Sequence, residues 1–182
     1  MSSKKSSRLK ILLAADELAH DLGPGNLSLD AVAHRAGVSK GGLLYHFPTK
    51  ARLLEALVEH HIETFDSTLT KKEKTRSGER QALLAAYLDL VMADFDRKQP
   101  PPSGVLAALA ENPELIAPIR DYNRLLLDRL KANAANQTTA LIVFLALEGM
   151  RAMQVFGLDV LTLEEREAVV TAFQSPLYTG KS

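Results

Sequence analysis

The chain has no cysteine, which excludes disulfides, thiolate nucleophiles and cysteine-based zinc sites. Aromatic residues are also scarce, at 5% of 182 positions against 46% apolar residues overall. Leu and Ala dominate that apolar set and β-branched residues are few, a mixture that favours helices packed on helices. No convincing strand pattern and no internal repeat interrupts the helical periodicity. Long hydrophobic runs are missing too. The most apolar stretch, "ALIVFLAL" at residues 140–147, falls well short of the roughly 20 residues that a membrane helix needs. The basic start "MSSKKSSRLK" leads into no apolar segment of signal-peptide length. From these absences we expect an all-α, cytoplasmic protein that does not engage a membrane.

Net charge is missing as well: 22 basic residues balance 22 acidic ones. The balance is uneven along the chain, with +3 over residues 1–50 and −3 over the remainder. A basic N-terminal end suits a polyanion, although three charges alone are a small excess. Catalytic constellations are lacking. Glu59, His60, His61 and Glu63 are the one cluster suggestive of metal. Adjacent histidines diverge by about 100° on a helix, whereas a helical zinc pair sits at i and i+4. No nucleophile with a base and no phosphate-cradling glycine loop stands out. We therefore expect no catalytic residue, no metal and no cofactor.

What is present is a chain of helix signals. Ile11, Ala15, Leu18 and Leu22 share a face in a helix from Arg8 to Leu22, stopped by "GPG" at 23–25. Ser28 offers an N-cap to "LDAVAHRA", which Gly37 ends. Ser39 offers another to "KGGLLYHF", ended by Pro48, and Thr49 can cap a longer helix. The charged "TKKEKTRSG" at 70–78 reads as a link to a second helical region. That region holds "ERQALLAAYLDLVMADFDRK", a break at "QPPPSG", a short helix near 103–111 and a longer one from Pro113 to about Ala135. "TTALIVFLALEGMRAMQVFG", "TLEEREAVVTAF" and a loose tail "SPLYTGKS" follow.

Residues 28–47 carry the most specific geometry. Two short helices meeting at a tight turn need a small residue at closest approach, a turn residue tolerant of left-handed geometry, and apolar residues locking one helix to the other. Ala33, Gly37, and the set Val32, Val38, Leu43 and Phe47 meet those needs. The spacing of Ala33, Gly37 and Leu43 satisfies a DNA-binding helix-turn-helix, with an ordinary helical hairpin as the alternative. With Leu43 and Phe47 inward, the opposite face of the second helix holds Gly41, Gly42 and Tyr45, flanked by Leu44 and His46, with Lys40 at the helix start. Two adjacent glycines cost a helix about 1 kcal/mol each relative to alanine, but they let backbone approach a partner closely.

The run "LSLDAVAHRAGVSKGGLLYHFPTKARLLEAL" resembles the DNA-binding domain of the TetR family of bacterial transcriptional regulators, closest in "AGVSKG…LYHFPTK…LL". The resemblance covers about a third of the chain, residues 8 to about 60. It implies an N-terminal three-helix domain (residues 1–50, continuing into a connecting helix 50–70) followed by a larger helical effector-binding and dimerisation domain (71–182). It departs from the family at Gly42, where many members carry threonine, and at Leu44, where an aromatic is frequent. It implies that Ser28, Ser39, Lys40, Gly41, Gly42, Leu44, Tyr45, His46 and Lys50 form the operator-facing surface. Tyr45 and Lys50 would hold phosphates and Leu44 a thymine methyl. Tyr45 also reads as a half-buried packing residue, and His46 as a plain surface one. Lys4, Lys5 and Arg8 are either a minor-groove arm or a solubilising tail.

For the second domain the resemblance implies a homodimer through the last two long helices and a small-molecule effector. The proposed pocket residues are Met92, Phe95, Tyr122, Leu126, Met150, Met153 and Phe156, each of which also fits ordinary core packing. Glu148 and Arg151 could read a ligand charge, or lie at the surface or at a dimer interface. Gly149 and Ala152 would allow close helix contact in a dimer, while a buried central helix is the alternative for this segment. The function implied is a ligand-responsive repressor on a palindromic operator. The other reading is a TetR-like protein whose main partner is another protein.

Overall fold

The computed structural model describes residues 2–23, 26–96 and 103–174. Among these the chain forms nine α-helices and no strand. They are α1 (Ser2–Leu22), α2 (Leu29–Ala36), α3 (Lys40–His46), α4 (Lys50–Thr75), α5 (Ala82–Asp96), α6 (Ser103–Glu111), α7 (Ile116–Asn133), α8 (Gln137–Val155) and α9 (Leu163–Gln174). A 3-10 turn at Pro113–Leu115 leads into α7.

The helix starts follow side-chain chemistry. The Ser28 hydroxyl accepts from the Ala31 N–H at 3.2 Å, Ser39 from Gly42 at 3.0 Å and Thr49 from Arg52 at 3.2 Å. Each satisfies one of the orphan N–H donors of a first helical turn. Asn136 does the same for α8, accepting from Thr138 and Thr139. Thr162 and Glu165 form a reciprocal capping box at α9, each side chain accepting from the other's backbone N–H. Gly37 ends α2 with φ 65°, so its N–H and that of Val38 turn back to His34 and Ala33 carbonyls.

Three expectations shift. α1 begins at Ser2 rather than Arg8, and its last apolar residue, Leu22, is half exposed while Leu12 and Ala19 join Ile11, Ala15 and Leu18 in the core. The charged stretch from residue 70 is not a link at its start, because α4 continues through Lys71, Lys72, Glu73 and Lys74 to Thr75. Lys and Glu are good helix formers, and Lys72 and Lys74 in the last turn complement the helix dipole. "GPG" beyond Gly23, the break at 97–102, the tail and the side chains of Lys4 and Lys5 lie outside the described residues.

Contacts divide the chain into two compact units, residues 1–64 with 102–121, and residues 65–101 with 122–182. The division thus falls inside α4 rather than at residue 70, and α6 joins the N-terminal helices. The reason is local: the Gly104 N–H donates to Asp16 Oδ1 at 2.8 Å, and Val105, Ala107 and Ala108 are buried with α1 and α4 side chains. The core of the first unit is Ile11, Leu12, Val32, Leu43, Leu53 and Leu54, with Ala33 and Phe47 closing the α2–α3 corner. Each such Leu or Ile contributes roughly 1.5–3 kcal/mol by burial.

The second unit is built on Leu69, Tyr87, Val91, Leu126, Leu130 and Leu147. α8 gives it Ala140, Val143, Phe144, Leu147 and Met150, while Leu141, Ile142 and Leu145 stay at least a third exposed. By length and composition alone α8 could cross a membrane; here its inward face is part of a helical core. α9 has no fully buried residue and touches that core through Val169 and Phe173.

Gly37 is the backbone hinge of the α2–α3 corner. Gly37→Ala should destabilise the chain by about 1–2 kcal/mol, the cost of left-handed geometry for an L side chain. Urea unfolding should show a lower midpoint with an unchanged slope.

Candidate nucleic-acid interface

α3 is held by the two side chains that the helical wheel turns inward, Leu43 at 0% and Phe47 at 2% exposure. Its outer face then follows from geometry. Tyr45 projects from the surface at 65% exposure, its ring edge-on to that of His46 at 5.2 Å. Ser28, Ser39, Lys40 and Gly41 are exposed, and Gly42 and His46 are half-buried. A Cβ built on Gly41 would meet no atom within 4 Å, whereas one on Gly42 would sit 3.2 Å from Ser39 Oγ and 3.9 Å from Val38 Cβ. Leu44 is half-buried and packs against the core of the first unit, so it presents only part of its surface outward.

The two lysines are engaged within the unit. Lys40 Nζ lies 3.0 Å from Asp30 Oδ1, and the Lys50 ammonium pairs with the Glu111 carboxylate. Two further cations border this face: Arg8, one of the candidate arm residues, and Arg52, which the sequence did not single out. The Arg8 guanidinium lies over the Phe47 ring at 5.4 Å. Arg52 pairs with Glu55, and both line a cleft of about 240 Å³ with Arg8, His46, Phe47 and Glu59. Phe47, the first residue of "FPTK", gave no signal that Arg8, 39 positions earlier, would stack on it.

The second unit places the pocket candidates differently from one another. Phe95, Leu126 and Met150 are buried core, Met92, Tyr122 and Met153 are half-buried, and Phe156 is 70% exposed. Phe95 lies beneath the Arg166 guanidinium at 4.8 Å. A cavity of about 220 Å³ in this unit is lined by Arg76, Gln81, Leu84, Leu88, Asp89, Phe173 and their neighbours, none of them among the seven candidates. Sequence gave no sign of it, because its walls come from the α4–α5 turn, α5, α8 and α9.

Polar groups in the second unit are joined in pairs. Fully buried Tyr87 donates its hydroxyl to Glu148 Oε1 at 2.7 Å, and Arg151 donates to the same oxygen at 3.0 Å while covering the Phe65 ring at 4.9 Å. Tyr122 donates to Asp66 at 3.1 Å, and Arg129 donates to the same carboxylate at 2.8 Å. Phe65 lies edge-on between the two tyrosines. Glu148 and Arg151 thus serve each other and Tyr87. Burial, and secondly the adjacent carboxylate, pushes the Tyr87 phenol well above its ordinary range; burial and then Asp66 raise Tyr122.

An all-helical chain with an N-terminal helix-turn-helix and a second helical unit defines a class, and comparison with known proteins places it. Residues 11–57 match the family described as bacterial regulatory proteins, tetR family, and residues 81–175 match the tetracyclin repressor-like C-terminal domain. The chain belongs to the TetR family. It is 37% identical over 89 residues to the HTH-type transcriptional activator FasR of Mycolicibacterium smegmatis, a match covering 49% of this chain and 39% of that one. The chain spans about half the length of the curated relatives it matches.

The fold is that of solved structures. A transcriptional regulator from Rhodococcus sp. Rha1 superposes with a TM-score of 0.70 at 21% identity, covering 91% of this chain and 92% of the other. The multidrug binding protein EbrR complexed with malachite green gives 0.65 at 22%, covering 92% and 95%.

The tyrosine pairs set a pH dependence. The folded chain holds the Tyr87 and Tyr122 protons more tightly than the unfolded chain, which releases them near pH 10. Their contribution is therefore complete below about pH 10 and is lost as pH rises above it. Absorbance at 295 nm should show two of the four tyrosines ionising only as the chain unfolds; smooth ionisation of all four in the folded state would contradict this.

Proposed function

We propose that this chain is a DNA-binding regulator of transcription, working in the cytoplasm as a homodimer on a palindromic duplex operator. The observation that carries the reading is the α2–α3 corner: a capped, glycine-opened helix whose apolar side is buried and whose outer side offers Tyr45, Gly41, Ser39 and Lys40. Family membership supports it. A helix presented in this way enters a major groove, and phosphate contacts fix its register there. In this reading Ser28, Tyr45 and Lys50 hold backbone phosphates. Lys40, Leu44 and His46 face base edges, and Gly41 and Gly42 allow close backbone approach.

Two recognition helices must reach successive grooves roughly 34–36 Å apart, which a two-fold dimer provides. The exposed Leu141, Ile142 and Leu145 of α8 supply apolar surface for the partner subunit. The second unit takes a small-molecule effector, in keeping with the dye-bound EbrR structure. We assign repression as the sense of control. FasR is an activator, so a promoter–reporter fusion with and without the protein decides the sign. Effector binding would shift the population towards a form with mis-spaced recognition helices.

The test begins with selection of a preferred duplex from a random-sequence library by the full chain. Failure to enrich any sequence would end the reading. On the enriched duplex, Tyr45→Ala and Lys50→Ala should each weaken binding while leaving the dimer intact in sedimentation. Lys50→Ala should do so across all sequences and lower the slope of log affinity against log salt by about 0.9.

Gly42→Thr probes base reading. Its Cβ needs only a few tenths of an ångström from the Ser39 hydroxyl, so the fold should persist while the selected sequence changes. Selection of the same sequence would remove Gly42 from the reading surface.

A further inference from the structure

Each lysine of the proposed operator surface is already held by a carboxylate of the same unit, but the two pairs differ in kind. Lys40 and Asp30 are both largely exposed and come from adjacent helices. Lys50 and Glu111 are 61 positions apart, and each side chain is only about a third exposed.

Glu111 is placed by a seated helix. α6 is fixed on α1 by the Gly104–Asp16 hydrogen bond, and a Cβ on Gly104 would fall 2.8 Å from Asp16 Oδ1, so the approach is close. Ala107 and Ala108 are fully buried beneath it.

Both charges of this pair oppose their own helices. Lys50 is the first residue of α4, at the positive end of that helix dipole, and Glu111 is the last residue of α6, at the negative end. Helix stability favours the reverse placement at each end. The two unfavourable placements are compensated by one another. A lysine at a helix N-terminus, beside the recognition helix, is explained by a phosphate that it holds when DNA is present. The carboxylate occupies that ammonium when DNA is absent.

We infer that Glu111 is an intramolecular competitor for the operator phosphate, a residue that lowers DNA affinity by holding Lys50. The inference rests on the DNA-binding reading above. Binding must exchange a carboxylate for a phosphate on Lys50, and the released Glu111 then recruits a cation, which cancels part of the counterion release that favours binding.

The test is a double-mutant cycle by fluorescence anisotropy on the duplex that the wild-type chain enriches. Glu111→Gln keeps side-chain volume and removes the charge. It should tighten binding about three- to fivefold, the scale of a partly exposed ion pair, and steepen the salt slope by up to about 0.9. In the Lys50→Ala background both effects should vanish. Thermal melts of all four proteins confirm that the fold is retained, and a change in stability without a change in salt slope counts against the inference. Affinity equal to wild type, or an equal gain with Lys50 absent, overturns it while leaving the DNA-binding reading in place. Failure of the wild-type chain to enrich any duplex instead overturns that reading, and this inference with it.

Discussion

The structure of the first unit depends on the burial of Leu43 and Phe47 beneath α1 and α2. α3 is seven residues long and two of them are glycine. In isolation such a segment would not hold a helical conformation, because nucleation is costly and propagation too short to offset it. Two buried side chains, together worth a few kcal/mol, and a serine cap fix it instead. Every group on its outer face inherits its direction from that anchorage. Tyr45 points outward because Leu43 and Phe47 point in.

Electrostatics in this protein is a matter of arrangement rather than of total charge. A net charge of zero provides no general attraction for a polyanion. Cations instead meet carboxylates in assigned pairs: Arg35 with Asp21, Lys40 with Asp30, Lys50 with Glu111 and Arg129 with Asp66. Exposed pairs of this kind add little to stability. What they fix is the direction of long side chains and which charge is met first by an incoming partner. The second unit uses the same chemistry under cover, where Tyr87, Glu148 and Arg151 satisfy one another in a largely apolar setting.

Most helix ends were legible in the sequence because they are written in local chemistry. Ser28, Ser39, Thr49 and Gly37 each act on a backbone group within four positions. The inward pair of α3 was legible for the same reason, as periodicity within seven residues. Long-range partners were not. Nothing near Gly104 announces Asp16, and nothing near Lys50 announces Glu111, since those contacts follow from how α6 lies on α1. The assignment of residues 102–121 to the first unit was hidden by the same cause. Charge patterning misled at residues 70–75, where a surface-charged segment is also a good helix. In the second unit, methionines and aromatics at helical spacing could not be sorted into core and cavity, because both look alike in sequence. Phe95 and Phe156 have the same side chain and opposite surroundings.

Gly41 has a consequence for how such a protein can diversify. Its neighbour Gly42 is hemmed by the capping serine, but at Gly41 the space around a would-be side chain is open. An alanine placed there would gain about 1 kcal/mol of helix propensity, and its Cβ would meet no atom within 4 Å. The fold therefore exerts no demand for glycine at this position. Among descendants of this chain, a single codon change at position 41 could install a new determinant on the outer face of α3 while leaving stability level or raised. Here novelty and robustness do not compete, although function and stability commonly trade off in proteins.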